Sequence, residues 1–497
     1  MPYQDLRQFI RACEEHGELA TIKDEVDWDL EIGAITRRTF DLQGPALLFE
    51  RIKGYSSEYS FFSGMVSTYH RYALALNLPP DTSVREIIHE YYERIKKPIP
   101  PEIVSSGSCK ENKMEGDSVD ILKFPTPKWN PKDGERFIGT FGCVITKDPE
   151  NDWVNMGVYR MMIHDSKSTG IFIVPAQHIG YHFRKYKNLN RPMPTAVAIG
   201  VDPVVVLAAC GRFPFDVNEF EMAGALRQAP LKIVKCETLD LDVPANSEIV
   251  LEGYVDPSKL KQEGPFGEYV GYYAGGIQER PVFDIHCVTY RNNPINTGTL
   301  EGKPLVEDHI IMSVGNSALS RKALIDDLGM PAVVDVAYHP WSPSNHLVVI
   351  ATDGNPYPGH DKHVASALWG TKVGAGADWV IIVNKDVDIT NLNEVIWAMC
   401  TRCKPDRDIT IIPNFYDFAG LIPQGRNPEM IKQRRELCKI IIDCRFPAWF
   451  NKEEVPIVSD FNEFPEEIRR RVMDKFDSIM RRDGNNRANY QSVAGRN

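Results

Sequence analysis

No stretch of this chain supplies the ~18 to 20 consecutive apolar residues that a membrane-spanning helix needs. The most apolar run, Thr195 to Cys210, is interrupted by Asp202-Pro203. A signal-peptide pattern is also missing, because Leu6, Phe9, Ile10 and Cys13 follow helical spacing almost from the start, with Gly17 where a C-cap belongs. The expectation is a cytoplasmic protein with no membrane partner. Positive charge is in short supply: the 497 residues carry a net charge of −11. An acidic chain gains nothing from counterion release on a polyanion, which argues against nucleic acid as a partner and leaves room only for a local basic pocket around one phosphate. A disulfide framework is not indicated. The ten cysteines are scattered, most of them inside apolar patterns such as that of Cys143 in Phe-Gly-Cys-Val-Ile, as reduced core thiols are. Cys400 and Cys403 form the one C-x-x-C, and with no second pair to complete a zinc site they are expected to pack into the core. There is no internal repeat, no low-complexity tract, no G-x-x-x-x-G-K-[ST], no G-x-S-x-G, no H-E-x-x-H and no nicotinamide-type G-x-G-x-x-G.

What is present is an ordinary globular balance of 43% hydrophobic and 25% charged residues. At ~100–200 residues per domain the length allows two or three domains. Residues 1–114 read as mixed helix and strand, with Asp81-Thr82-Ser83 capping a helix whose Val84, Ile87, Ile88 and Tyr91 share a face. Residues 115–315 read mostly as strands (139–145, 154–163, 195–207, 247–254 and 281–290), which predicts a β-barrel or curved sheet. Residues 316–455 alternate strands at 346–351, 379–383 and 408–412 with a helix at 392–402, an α/β pattern. In the tail, 456–497, a charged amphipathic helix over 465–482 carries Ile468, Val472, Phe476 and Ile479 on one side and is expected to dock on a partner subunit.

Three clusters could carry chemistry. Glu263-Gly264-Pro265-Phe266-Gly267-Glu268 puts two carboxyls in one loop. Facing one cavity they cannot both ionise cheaply, which would leave one usable acid; facing solvent they are a surface turn. Asn155-Met156-Gly157-Val158-Tyr159-Arg160 sets an arginine in an apolar strand, where it needs an anionic partner. Alternation puts Asn155 and Arg160 on opposite faces, so a joint site requires an irregularity such as a bulge at Gly157; without one Arg160 is a structural ion pair. Asn155, His178 (after Gln177) and Glu219 would together make an oxygen-rich set suited to Mn²⁺ or Mg²⁺ rather than zinc, although each alone also reads as a core or surface group. Lys372, in Gly370-Thr371-Lys372-Val373-Gly374, either grips a phosphate or ends a helix.

In order and spacing, Asn155-x4-Arg160, Gln177-His178, Glu219 and Glu263-Gly-Pro-Phe-Gly-Glu268 resemble the UbiD family of reversible decarboxylases. The resemblance spans nearly the whole chain, from Leu30-Glu31-Ile32-Gly33-Ala34-Ile35 through Ser247 to Gly253 to Val395-Ile396-Trp397-Ala398-Met399. It implies an α+β fold: an N-terminal α/β region, a split β-barrel that binds flavin, and a C-terminal α/β oligomerisation domain with a terminal helix. It also implies prenylated FMN as cofactor, made by a flavin prenyltransferase, with Mn²⁺ (or Mg²⁺) held by Asn155, His178 and Glu219 at its phosphate and K⁺ nearby on carbonyls. Val158, Tyr159, Arg160, Gln177 and Lys372 would surround the cofactor, and Arg160, Glu263 and Glu268 would be catalytic, with Glu268 as proton donor. The implied reaction is reversible non-oxidative decarboxylation of an aromatic or α,β-unsaturated acid by a homo-oligomer, dimer to hexamer. Where cinnamate-type members carry a bulky aromatic, Gly374-Ala375-Gly376-Ala377 implies more room, for a larger aromatic acid or an aryl-CoA thioester, walled by residues 302–311 and 418–423. An FMN-dependent oxidoreductase and a non-catalytic subunit of a multi-protein carboxylase are the alternatives.

Overall fold

The computed structural model describes residues 2–343, 346–415, 437–447, 450, 458, 461 and 464–481. Local signals near the N-terminus act as expected. Asp5 caps the helix Leu6–Glu15 by accepting a hydrogen bond from the Gln8 N–H at 2.9 Å, and Leu6, Phe9, Ile10 and Cys13 are its buried face. Ser83 and Glu86 form a reciprocal capping box at the start of Val84–Ile95, which buries Ile87, Ile88 and Tyr91. These helices pack with a four-stranded sheet ordered Leu19–Ile22, Ala46–Phe49, Ser60–Ser63, Ile295–Thr297. The last strand comes from far along the chain and stitches the N-terminal layer to the central sheet.

The central sheet has nine strands. Its spatial path runs Phe137–Ile138, Met161–Asp165, Ser168–Gly170, Gln278–Tyr290, Ile249–Glu263, Met193–Ile199, Cys143–Lys147, Val154–Val158, with Asn112–Glu115 paired on Gln278–Tyr290. Val154–Val158 therefore ends one side of the sheet, while Met161–Asp165, three residues on, lies next to the other end. Three Cα steps span at most ~11 Å, so the sheet must curl until its ends nearly meet, making a split barrel around Val144, Val197, Leu251 and Phe283. The single strand expected over 154–163 is thus two strands, parted at Tyr159-Arg160. The strand expected over 195–207 also divides: it stops at Ile199, and Asp202 and Pro203 start a buried helix, Pro203–Ala209. An unbroken apolar run carries no periodicity that separates a buried strand from a buried helix.

The C-terminal sheet runs Val333–Tyr338, Leu347–Thr352, Trp379–Asn384, Leu437–Asp443, Ile409–Phe415, with the middle three parallel. Alternate side chains serve two layers: Val348, Ile350, Val380 and Ile382 pack against the helix His360–Trp369, while Val349, Ala351, Ile381 and Val383 pack against Leu392–Arg402. Cys403 borders the second cluster, but Cys400 faces solvent, so core packing holds for only one of the pair. In Glu466–Arg481 both Val472 and Phe476 are exposed. Among the described residues no helix is long and apolar enough to cross a membrane.

Candidate active site

Arg160 stands at the seam where the barrel's ends approach. Its Nε donates to Glu263 Oε1 at 3.1 Å and its Nη1 to Glu268 Oε1, joining residues 103 and 108 positions apart. Glu263 ends the long strand Ile249–Glu263. Beyond it Gly264 takes φ +95°, where a side chain would be strained. The loop is then held from the opposite wall, since Asp133 Oδ1 accepts from the Gly267 N–H at 2.9 Å and Pro265 O from the Gly134 N–H at 2.8 Å. The glutamates are therefore not on a surface turn; Glu263 and Glu268 are 1% and 5% exposed. Phe172 and Phe266 flank the guanidinium at 4.3 and 4.9 Å. Burial opposes the charge on Arg160, but the two carboxylates outweigh it and raise its pKa; burial raises that of Glu263, with Arg160 opposing. Two acids against one guanidinium leave a proton-binding group beside a fixed cation.

A second feature is a cavity of about 200 Å³ on the far side of Tyr159, lined by Asn155, Val158, Tyr159, Gln177, His178, Glu219 and Lys372 together with Arg212, Glu301 and Asp308. His178 and Glu219 are the first residues of the helices His178–Asn188 and Glu219–Arg227, so two helix N-termini, with Lys372 and Arg212, give this end a positive potential suited to a phosphate. Glu219 Oε1 lies 3.3 Å from His178 Nδ1, and Glu219 Oε2 accepts from the Met156 N–H at 3.0 Å. Lys372 Nζ donates to His178 Nε2 at 2.5 Å, which leaves the ring proton on Nδ1. Burial lowers the His178 pKa and takes that of Lys372 down to about 7. Asn155 Nδ2 and Gln177 Oε1 are buried with no hydrogen-bond partner among the described residues. A phosphate with a bridging cation fits this donor set, because it supplies an anion for Lys372 and a ligand for the oxygens. Among the described residues no group of three or more His, Cys, Asp and Glu side chains is poised for a metal; here an amide makes the third donor.

The structure therefore places Asn155, Val158, Tyr159, Gln177, His178, Glu219 and Lys372 around the cavity and Arg160, Glu263 and Glu268 in one buried group. Arg160 is not among the residues lining the cavity; its Nε and Nη1 face the two carboxylates. Gly157 is not a bulge. Val154–Val158 pairs in unbroken register with Cys143–Lys147, and Gly157 is required because a Cβ there would fall 2.5 Å from Tyr159 Oη. The room expected at Gly374-Ala375-Gly376-Ala377 is used for packing: a Cβ on Gly374 would lie 2.1 Å from Leu368 O, and none of the four lines the cavity. Residues 418–423 lie outside the described residues. Sequence reasoning missed Asp133, Arg212 and the buried acids Glu301 and Asp308; residues 302–311, read as a wall, include Asp308.

Three family models match this chain, each described as a domain of 3-octaprenyl-4-hydroxybenzoate carboxy-lyase: N-terminal over residues 10–91, UbiD Rift-related over 102–304 and C-terminal over 309–444. The chain is 30% identical to the pyrrole-2-carboxylic acid decarboxylase of Pseudomonas aeruginosa, over 95% of its own length and 97% of that protein's. The closed form of vanillic acid decarboxylase from Sedimentibacter hydroxybenzoicus superposes with a TM-score of 0.84 at 32% identity, covering 97% of this chain and all of that one. The UbiD-class enzyme HmfF from Pelotomaculum thermopropionicum, solved in complex with FMN, gives 0.80 at 29% identity over 92% and 97% of the two chains; an evolved dimeric form of it is solved with prFMN. With the split barrel, the flanking α/β layers and the arginine held between two buried glutamates, these matches establish that the chain belongs to the UbiD family of carboxy-lyases.

Proposed function

We propose that this carboxy-lyase carries out the reversible, non-oxidative decarboxylation of an aromatic carboxylic acid on prenylated FMN. Loss of CO₂ from an sp² carbon leaves a carbanion that no side chain can delocalise, and the bound cofactor supplies that electron sink. Asn155, His178 and Glu219 would hold Mn²⁺ or Mg²⁺ at its phosphate, with K⁺ on nearby carbonyls, while Lys372 balances the phosphate charge and Val158, Tyr159 and Gln177 line its bed.

The remaining work falls to the trio. Arg160 has the planar fork to orient a substrate carboxylate. Glu263, hydrogen-bonded to Nε, fixes the guanidinium and sets a second carboxyl beside Glu268. Glu268 takes up the proton and delivers it to the carbon that has lost CO₂; in the carboxylation direction it removes that proton. Phe172 and Phe266 exclude water, so each charge acts through a low dielectric. In the assembly we assign, copies of this chain associate through the C-terminal domain, with the exposed Val472 and Phe476 side of Glu466–Arg481 covered by a neighbouring copy.

The observation that carries this reading is the convergence of Arg160, Glu263 and Glu268 in one buried group. Glu268→Gln, expressed with a flavin prenyltransferase, is expected to keep its flavin by absorbance and mass spectrometry and to lose exchange of labelled CO₂ into the substrate by at least ~100-fold. Undiminished exchange in that variant, or full activity with plain FMN, would refute the assignment.

A further inference from the structure

The trio leaves one carboxylate oxygen unsupported. Glu263 meets Arg160 through Oε1 alone, while its Oε2 is buried with no hydrogen-bond partner among the described residues. Such an oxygen is costly until an N–H or O–H reaches it. His164 Nε2 is likewise buried with no partner among the described residues, although the residue as a whole keeps part of its surface exposed. Both atoms face the bare side of Gly170: a Cβ placed there would lie 2.4 Å from Glu263 Oε2 and 3.2 Å from His164 Nε2. Two atoms that near one point are brought into contact by turning the imidazole about χ2 or the carboxyl about χ3, torsions whose wells are broad.

The backbone gives His164 a special place. Where Met161–Asp165 pairs with Ser168–Gly170, Ser168 opposes Asp165 but the next residue, Thr169, opposes Ile163, so His164 is the extra, unpaired residue of a bulge. Bulges re-aim a side chain and recur beside active sites. Burial and the charge of Lys261 lower the His164 pKa, with Asp165 opposing, so at pH 7 the ring is neutral and carries one N–H. With that proton on Nε2 the ring is the donor that Oε2 lacks. The charges acting on Glu263 are those of Arg160 and Arg280, which favour its ionised form, and of Glu268, which together with burial opposes it. We infer that His164 is a positioning residue: its Nε2–H pairs with Glu263 Oε2 and holds that carboxylate ionised and aligned while Arg160 binds the carboxylate of the substrate. This inference rests on the decarboxylase reading and adds a member to its site.

The test uses the flavin-loaded full-length chain, with labelled CO₂ exchange into 4-hydroxybenzoate and 3,4-dihydroxybenzoate followed across pH. His164→Phe is expected to lower exchange by on the order of tenfold or more at unchanged flavin content, the range for a hydrogen bond to a charged group. Without the donor the ionised form of Glu263 is less favoured, so the acidic limb of the rate profile should move to higher pH by about 1. His164→Gln, whose amide N–H can stand where Nε2 does, is expected to bring the rate back to within about threefold of the wild type. A second readout needs no substrate: in Glu263→Gln the His164 pKa, measured by mass spectrometry from exchange of its Cε1 hydrogen for deuterium, should fall by about 1 as the neighbouring negative charge is lost. An unchanged His164 pKa in that variant, or a wild-type rate and pH profile in His164→Phe, overturns the inference and leaves the decarboxylase reading standing. A rate lost in both His164 variants with the acidic limb unmoved makes the residue merely structural and likewise overturns it. Absence of exchange with either acid in the wild type removes the decarboxylase reading and the positioning role with it, even where the deuterium readout shows the pair to be formed.

Discussion

A single methyl group offers a demanding test of the catalytic geometry. Gly170 ends the strand Ser168–Gly170 opposite Val282, in backbone that does not itself require glycine. A Cβ there would lie 2.4 Å from Glu263 Oε2 and 3.2 Å from His164 Nε2. Ordinary contact begins at 3.4 Å, so the carboxylate must retreat by about 1 Å. The Arg160 Nε to Glu263 bond, already 3.1 Å, would then pass ~3.5 Å and cease to be one. Gly170→Ala is therefore expected to lower the CO₂-exchange rate on the order of 100-fold, the loss typical of a 1 Å misplacement. Overpacking should destabilise the chain by ~1–3 kcal/mol. Adding Glu263→Asp withdraws the carboxyl by one methylene; the double variant should regain its melting temperature without regaining its rate, which separates crowding from chemistry. Gly315→Ala, where the nearest atom is 3.7 Å away, is the control for both effects. A wild-type rate in Gly170→Ala would show that the Arg160–Glu263 contact does not matter to the reaction.

Two further outcomes follow from the charges around the site. Lys372→Met removes a cation from the positive end of the cavity and should weaken FMN binding by on the order of tenfold in a fluorescence titration; an unchanged affinity would mean that Lys372 does not meet the phosphate. Asp133, held up to about 6 by burial against the opposing Gly267 and Asn130 N–H groups, binds its proton more tightly in the folded chain than its ordinary value of 3.8 allows. Its contribution to stability is therefore complete below about pH 4 and is lost as pH rises through about 6, on the order of 3 kcal/mol in all. Asp133→Asn should abolish that decline in melting curves recorded across this range, and an identical pH profile in variant and wild type would refute it.

Much of the local structure was legible without coordinates. Ser83 with Glu86, Asp5 ahead of Leu6, and the spacing of Ile87, Ile88 and Tyr91 are contacts within one or two turns, and such contacts are written in neighbouring residues. The uniformly apolar run from Thr195 to Leu207 misled because burial on every side erases the periodicity that separates strand from helix. Glu301 and Asp308 went unread as a pair because acids seven positions apart across a proline carry no spacing signal; only the fold turns both into one cavity.

The amino-acid order alone determined the chain's membership in a family, its charge balance, its helix caps and which side chains are candidates for the chemistry, since these are properties of residues and short neighbourhoods. Tertiary structure decided whether those side chains meet. Arg160 reaches Glu263 and Glu268 only because a nine-stranded sheet curls until its ends lie three residues apart, and Glu263 is an acid in a dry pocket only because Asp133 and Gly134 fasten the loop beyond it to the opposite wall. The physical reason is that desolvation and Coulomb terms depend on distance in space, and closure of the barrel sets that distance.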